Sequence, residues 1–180
     1  MDLATELAFF MLPLLAAGLL HHFFIIPGNR LAWLARPVDG NVRYRGYRVF
    51  GRSKSWRGIA VVVVATSLMT AVLGRFFAVP TAVPHWMTGA LIGLGYAIAE
   101  LPNSFVKRRL GWAEGTNGSG AIGTMSRIAD QTDSVVGAIL AMLLVYRPSA
   151  LLILLLFVIG SFIHFLVDVA LRRTSYKRLP

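Results

Sequence analysis

A chain of 180 residues that is 56% hydrophobic and 14% charged, with a mean hydropathy of +0.66, is too apolar for a soluble domain of its size and reads as an all-α integral membrane protein. The absence of cysteine excludes disulfides and thiolate metal sites. The formal net charge of +10 does not require nucleic acid, because bases beside apolar segments suit anionic headgroups and polyphosphates. The basic loops hold no recognisable nucleic-acid module, and no such partner is expected.

Five apolar segments follow in chain order, each read as a membrane span, with no internal repeat and one domain across residues 1–180. The first runs from Leu3 to Ile26. Asp2 and Glu6 stand where a signal peptide would carry positive charge, and no clear cleavage site follows, so it reads as a retained span. A loop from Pro27 to Gly58 comes next, carrying Arg30, Arg36, Arg43, Arg45, Arg48, Arg52, Lys54 and Arg57. In it Asp39-Gly40-Asn41 is a turn signal, and the alternation around Arg43, Arg45, Tyr47 and Val49 predicts a short hairpin. The second span, from Ile59 to Val79, is long enough to cross a hydrocarbon core, at about 31 Å of helix. If its helix starts near Ser53 or Ser55, backbone donors, Lys54 and Arg57 face one water layer and make a phosphate site. The same cations are also what an orienting anchor would need.

The third span runs from Pro84 to Leu101 and contains Gly89 and Gly93, a spacing that predicts helix packing. The second basic loop, from Pro102 to Asp133, carries Lys107, Arg108, Arg109 and Arg127. Glu100, Ser104, Lys107 and Arg108 share one face if the helix continues past Pro102 with a kink. Gly118-Ser-Gly120-Ala-Ile-Gly123 fits a dinucleotide fingerprint in letters only, since no strand precedes it, and reads as a flexible loop. The fourth span, from Ser134 to Tyr146, is short and is expected to gain length by starting near Met125. Asp130 and Asp133 lie three apart at its start, and Gly137 extends their face; such acids also suit a helix N-terminus. The fifth span runs from Ser149 to Leu171. His21, His22, His85 and His164 show no ligand or triad spacing.

Sixteen of the eighteen Lys and Arg residues lie in the two long loops and the tail after the fifth span, the last group including Arg172, Arg173, Lys177 and Arg178. The positive-inside rule therefore predicts two cytoplasmic basic loops, a cytoplasmic C-terminus and a multi-pass protein of the cytoplasmic membrane. Ionisable groups at the edge of a bilayer are costly and so are functional candidates. Acids able to hold a hard divalent cation, beside bases able to hold phosphates, point to phosphoryl or nucleotidyl chemistry at the membrane surface.

Three blocks of the sequence, in register, resemble CDP-archaeol synthase, a relative of the phosphatidate cytidylyltransferases. The first is Pro37-Val38-Asp39-Gly40 with Phe50-Gly51-Arg52-Ser53-Lys54-Ser55-Trp56-Arg57-Gly58. The second is Glu100-Leu101 with Ser104-Phe105-Val106-Lys107-Arg108-Arg109-Leu110-Gly111. The third is Asp130-Gln131-Thr132-Asp133 leading to Gly137. Three departures stand out. Glu100, preceded by Ala99, is where the family usually has Asp after Gly; Ser55 stands for a common Thr; and Thr132 replaces an apolar residue.

The resemblance implies transfer of a cytidylyl group from CTP to a membrane lipid phosphate, giving a CDP-activated lipid and pyrophosphate, with Mg²⁺. It implies catalytic roles for Lys54, Arg57, Lys107, Arg108, Asp130 and Asp133. Asp130, Asp133 and Glu100 would hold the metal, and Ser55, Ser104, Arg109 and Asp39 would contact substrate. The bilayer is a partner, and a homodimer is the assembly entertained. Two other readings compete: an accessory protein that binds anionic lipid or nucleotide without catalysis, and a small transporter. Loss of Asp130 or Asp133 would favour the first, and both are present. The second needs polar or broken helices at mid-membrane, whereas these spans keep their polar groups at one edge.

Overall fold

The computed structural model describes residues 2–173, the side chains of Arg172 and Arg173 excepted; Lys177 and Arg178, counted above for orientation, lie outside the described residues. The described residues form five α-helices: α1 Leu3–Leu20, α2 Trp56–Leu73, α3 His85–Arg109, α4 Gly120–Leu143 and α5 Ala150–Arg173. Each packs against the next in sequence, and α5 returns to α1, so the chain runs up and down around a closed bundle. α1 continues into a π-turn at His21–Ile25. Three helical stretches are long and apolar enough to cross a membrane, namely Leu3–Ile25, Trp56–Leu73 and Ala150–Leu171. α3 and α4 are also long, at 25 and 24 residues, but each extends an apolar segment into a charged one.

That extension corrects the element boundaries read from hydropathy. α3 passes through Pro102 to Arg109, and α4 begins at Gly120, earlier than the Met125 start expected. The Gly118–Gly123 stretch is therefore the opening of a helix and not a free loop. Gly123 sits so close to the carbonyl of Gly118 that an added Cβ would lie 1.7 Å from it, so the glycines here serve a tight helix entry. α2 begins at Trp56 because Ser55 caps it, its extended backbone letting Oγ accept from the Gly58 amide at 3.3 Å. The expected hairpin is present, with Arg43–Tyr44 (β1) paired antiparallel to Tyr47–Arg48 (β2).

The apolar core lies in one half of the bundle. Phe9, Phe10, Val79, Ile92, Ala138, Met142, Leu152 and Leu156 form one buried cluster. The connections at that end are tied by the Ala82 amide, which donates to the Val145 carbonyl at 2.8 Å. Outward rows such as Val64, Leu68 and Val72 on α2 are exposed, as suits a helix whose surroundings are lipid. Glycines set the helix spacing. A Cβ at Gly89 would meet the Thr66 carbonyl at 2.5 Å, which confirms Gly89 as an α2–α3 packing position. A Cβ at Gly137 would meet Ala99 Cβ and the Gly95 carbonyl, each at 2.3 Å. α3 and α4 therefore touch backbone to backbone one turn away from Glu100 and Ser134, and this closeness brings their polar ends together.

Candidate active site

From the Gly95–Gly137 crossing toward the charged end, α3 and α4 run antiparallel, and their polar side chains meet in order. The Ser134 hydroxyl donates to Glu100 Oε1 at 2.7 Å. Asn103 Nδ2 donates to Asp133 Oδ2 at 3.0 Å and to Asp130 Oδ1 at 2.8 Å. Lys107 pairs with Asp130 Oδ1. On α3 the participants are Glu100, Asn103 and Lys107, spaced three and four apart on one helix face. Asn117, from the loop before α4, donates to Asp130 Oδ2 at 3.0 Å, and its own carbonyl accepts from the Ser126 hydroxyl at 3.0 Å.

The first basic loop delivers one cation to this row. Lys54 pairs with Glu100 Oε2. Its backbone is pinned by the Val38 amide, which donates to the Lys54 carbonyl at 2.8 Å, and by a β-bridge between Pro37 and Ser55. Further ties join the two loops. The Arg52 amide donates to Glu114 Oε1 at 2.9 Å, and Arg109 reaches the hairpin carbonyls of Tyr44 at 2.7 Å and Arg48 at 2.8 Å.

Six residues expected to touch substrate or reacting groups lie outside this hydrogen-bonded row. The Asp39 carboxylate is fully enclosed. It accepts from Arg48 at 3.0 Å and from the amides of Asn41, Phe50 and Gly51 at 3.0, 3.1 and 3.2 Å. Burial opposes its ionisation, but Arg48 and these backbone donors outweigh burial and hold the carboxyl below the usual carboxylate range. Arg109 is committed to the hairpin and stacks on Tyr44 and Phe105, 5.0 Å from each ring centre. Arg108 is buried and donates to the Ala113 carbonyl at 3.2 Å. Arg57 points toward the turn after α1, donating to the Arg30 carbonyl at 3.4 Å. Ser55 is the α2 cap. Ser104 sits a third of a turn from Asn103 and has no bond in the carboxylate row among the described residues.

Asn103, Asn117, Ser126 and Ser134 escaped the sequence reading. Asn103 had a usable signal, since it is three residues after Glu100 and four before Lys107, as good a match to one helix face as Ser104, which is four after and three before. Ser134 was a hydroxyl next to Asp133 at the start of an apolar run. Asn117 lies in a glycine-rich loop with no periodicity, and nothing in its neighbourhood marked it.

Among the described residues, no group of three or more His, Cys, Asp or Glu side chains converges as a ligand set. A pair does fit a hard cation. One amide nitrogen bridges Asp130 and Asp133, and Mg²⁺ is commonly held by one or two carboxylates with substrate phosphates completing its shell. Glu100 has both oxygens engaged, by Lys54 and Ser134.

The family model for CarS-like CDP-archaeol synthases matches residues 2–180. Three proteins described as CDP-archaeol synthases are among the similar sequences. That of Halorubrum lacusprofundi is 29% identical over 86% of this chain and 90% of its own length. That of Thermococcus kodakarensis is 31% identical over 81% and 82%, and that of Methanopyrus kandleri 30% identical over 88% and 90%. No solved structure matches.

Proposed function

The chain belongs to the CDP-archaeol synthase family, and from that premise we propose that it transfers the cytidylyl group of CTP to a membrane lipid phosphate at the α3–α4 row. The observation that carries this placement is the meeting of Glu100, Asp130 and Asp133 with Lys54, Lys107 and Asn103 at the charged end of the bundle. A lipid phosphate is already ionised at pH 7, so an oxygen of it attacks the α-phosphorus of CTP without a protein base. A new P–O bond forms, the bond from the α-phosphorus to the β-bridging oxygen breaks, and pyrophosphate leaves with that electron pair.

Two anions must approach each other, so catalysis rests on positioning and charge neutralisation. Asp130 and Asp133 are the residues that would hold Mg²⁺, which when bound neutralises phosphate charge and orients the leaving group. Asn103 keeps the two carboxylates together. Lys107 and Lys54 are held against Asp130 and Glu100 until substrate phosphates compete for them. Arg57 and Arg108 add positive potential from behind, through the turns they secure. Asp39, Arg109 and Ser55 act by fixing the loop that presents Lys54. Ser104, beside the row, takes a substrate hydrogen bond. All five helices cross the bilayer, with the basic loops and the C-terminus in the cytoplasm, where CTP is available.

The purified protein, incubated with CTP, Mg²⁺ and a panel of lipid phosphates bearing ether-linked isoprenoid or ester-linked acyl chains, should form CDP-lipid and pyrophosphate in equal amounts. No CDP-lipid from any acceptor would overturn the activity.

A further inference from the structure

The segment between α1 and the hairpin carries a surface that the carboxylate row does not use. The first membrane-crossing stretch ends at Ile25. A run of turns follows, in which Asn29 and Leu31 both take left-handed backbone angles, at φ 45° and 54°. A leucine holds that conformation only where its surroundings enforce it. Here the Arg30 amide donates to the Ile25 carbonyl at 3.0 Å, and the Leu34 amide to the Leu31 carbonyl at 2.9 Å. What the turns display is chemically uniform. Phe24 and Leu31 are exposed, and Trp33, in the short 3₁₀ turn Ala32–Leu34, is 69% exposed. Arg30 and Arg36 are exposed beside them. No acid occurs between Glu6 and Asp39.

We propose that residues 24–36 dock on anionic headgroups of the bilayer around the protein, separately from the acceptor, and that this contact steadies the loop bearing Lys54. An indole suits the headgroup layer, where its ring is covered and its N–H stays hydrogen-bonded, and arginines beside it attract anionic lipid. A bilayer surface supplies both at the level where the span ends. An acidic protein in solution would answer the two arginines but would leave Phe24, which lies inside the span, without cover. The turns are tied to the start of α2. Arg57 donates to Asn29 Oδ1 at 3.5 Å and to the Arg30 carbonyl at 3.4 Å. The Trp56 amide donates to the Arg36 carbonyl at 3.0 Å. Lys54, paired with Glu100, is two residues before Trp56. A turn held on the bilayer therefore holds Lys54 at the row. The docking stands on the surface alone, and its effect on turnover rests on the cytidylyltransferase reading.

The test exploits the absence of cysteine. Ala35→Cys, at an exposed position, takes one environment-sensitive fluorophore on the full chain. The protein is placed in nanodiscs of phosphatidylcholine, alone or mixed with phosphatidylglycerol, each with a lipid-borne quencher near the headgroup. Quenching should be at least about threefold deeper in the anionic discs, and Arg30→Gln combined with Arg36→Gln should abolish the difference. Equal quenching in both discs, or a difference kept by the double variant, overturns the docking. So does quenching that needs two copies in one disc, which would make the surface a contact between copies. Glycerol phosphate in solution should not reproduce the anionic-disc signal; if it does, the site binds free phosphate and the docking is wrong. With acceptor held constant, kcat/KM for CTP should be about fivefold higher in the anionic discs. Trp33→Ser and the double variant should close that gap and match wild type in phosphatidylcholine alone. Turnover indifferent to disc charge would sink the link to Lys54. Normal quenching without CDP-lipid from any acceptor would sink the cytidylyltransferase reading and leave the docking standing.

Discussion

The first basic loop and the α3–α4 seam are both rich in charge, yet they use it in different ways. In and around the loop, guanidinium groups are directed at backbone. Arg109 holds the hairpin carbonyls and Arg57 the turn after α1, while Arg48 is spent on the enclosed Asp39. In the seam, carboxylates meet ammonium groups and amides: Glu100 with Lys54, Asp130 with Lys107, and Asp130 and Asp133 with Asn103. The planar fork of Arg suits several fixed carbonyls at once, whereas Lys is a compact point charge that exchanges partners readily. Charge density alone therefore does not mark an active site. What distinguishes the proposed site is the set of cations whose present partners are groups that a metal or a phosphate would also engage.

The largest effect that would sharpen this contrast is expected from Asp133→Asn. It exchanges an anionic ligand for a neutral one of equal size, so turnover should fall by at least about a hundredfold, while the helical signal and melting temperature stay near wild type. Wild-type turnover in the folded variant would remove Asp133 from the mechanism.

Next come the two lysines. A charge-assisted contact to a phosphate contributes about 1.5–3 kcal/mol, so Lys54→Ala and Lys107→Ala should each lower kcat/KM by about ten- to a hundredfold. Arg43→Ala, in the hairpin, should stay near wild type. If all three behave alike, the charge acts collectively and the contrast between regions fails. A smaller effect separates neighbours on α3. Asn103→Ala should reduce turnover about tenfold by releasing both carboxylates, and Ser104→Ala should cost less. The reverse ranking would show that the face was chosen wrongly.

The smallest effect on chemistry, and one mainly on stability, is expected in the loop. Removing a buried partner of an ion pair costs a few kcal/mol, so Asp39→Ala should loosen residues 37–57 and increase their cleavage by protease. The carboxyl titrates below its ordinary value. Its stabilisation is thus present above the unfolded pKa of about 3.9 and is lost as pH falls through the lower folded value. Cleavage of the wild-type loop should rise only in that acid range, and a loop that loosens near neutral pH would contradict the assignment.

Much of this architecture was legible beforehand for physical reasons. Apolar segments between charged ones located all five helices, Ser55 marked a helix start, Asp39-Gly40-Asn41 marked a turn, and the alternation around Arg43, Arg45, Tyr47 and Val49 marked the hairpin. Hydropathy failed where a helix leaves the apolar layer. The polar halves of α3 and α4 look like loop by composition but are helical, because each continues a packed segment and faces the other across Gly95 and Gly137. The ionisable members of the row were visible as residue types at the edge of a span. Their partners Asn103, Asn117 and Ser134 were not, because a neutral amide or hydroxyl carries no signal until the fold sets it opposite a carboxylate. The same limit hid the contacts of Arg57, Arg108 and Arg109. Sequence shows a cation, and only the fold shows that its donors are turned toward carbonyls.

The most direct test of the central claim follows the phosphorus atoms of CTP in parallel reactions of wild type and Asp133→Asn with a lipid phosphate and Mg²⁺. With wild type, label at the α-phosphorus should enter the lipid fraction, and label at the γ-phosphorus should appear only in pyrophosphate; the folded Asp133→Asn protein should give neither. Label from the γ-phosphorus in the lipid, or equal α-label transfer by both proteins, would contradict cytidylyl transfer at the α3–α4 row.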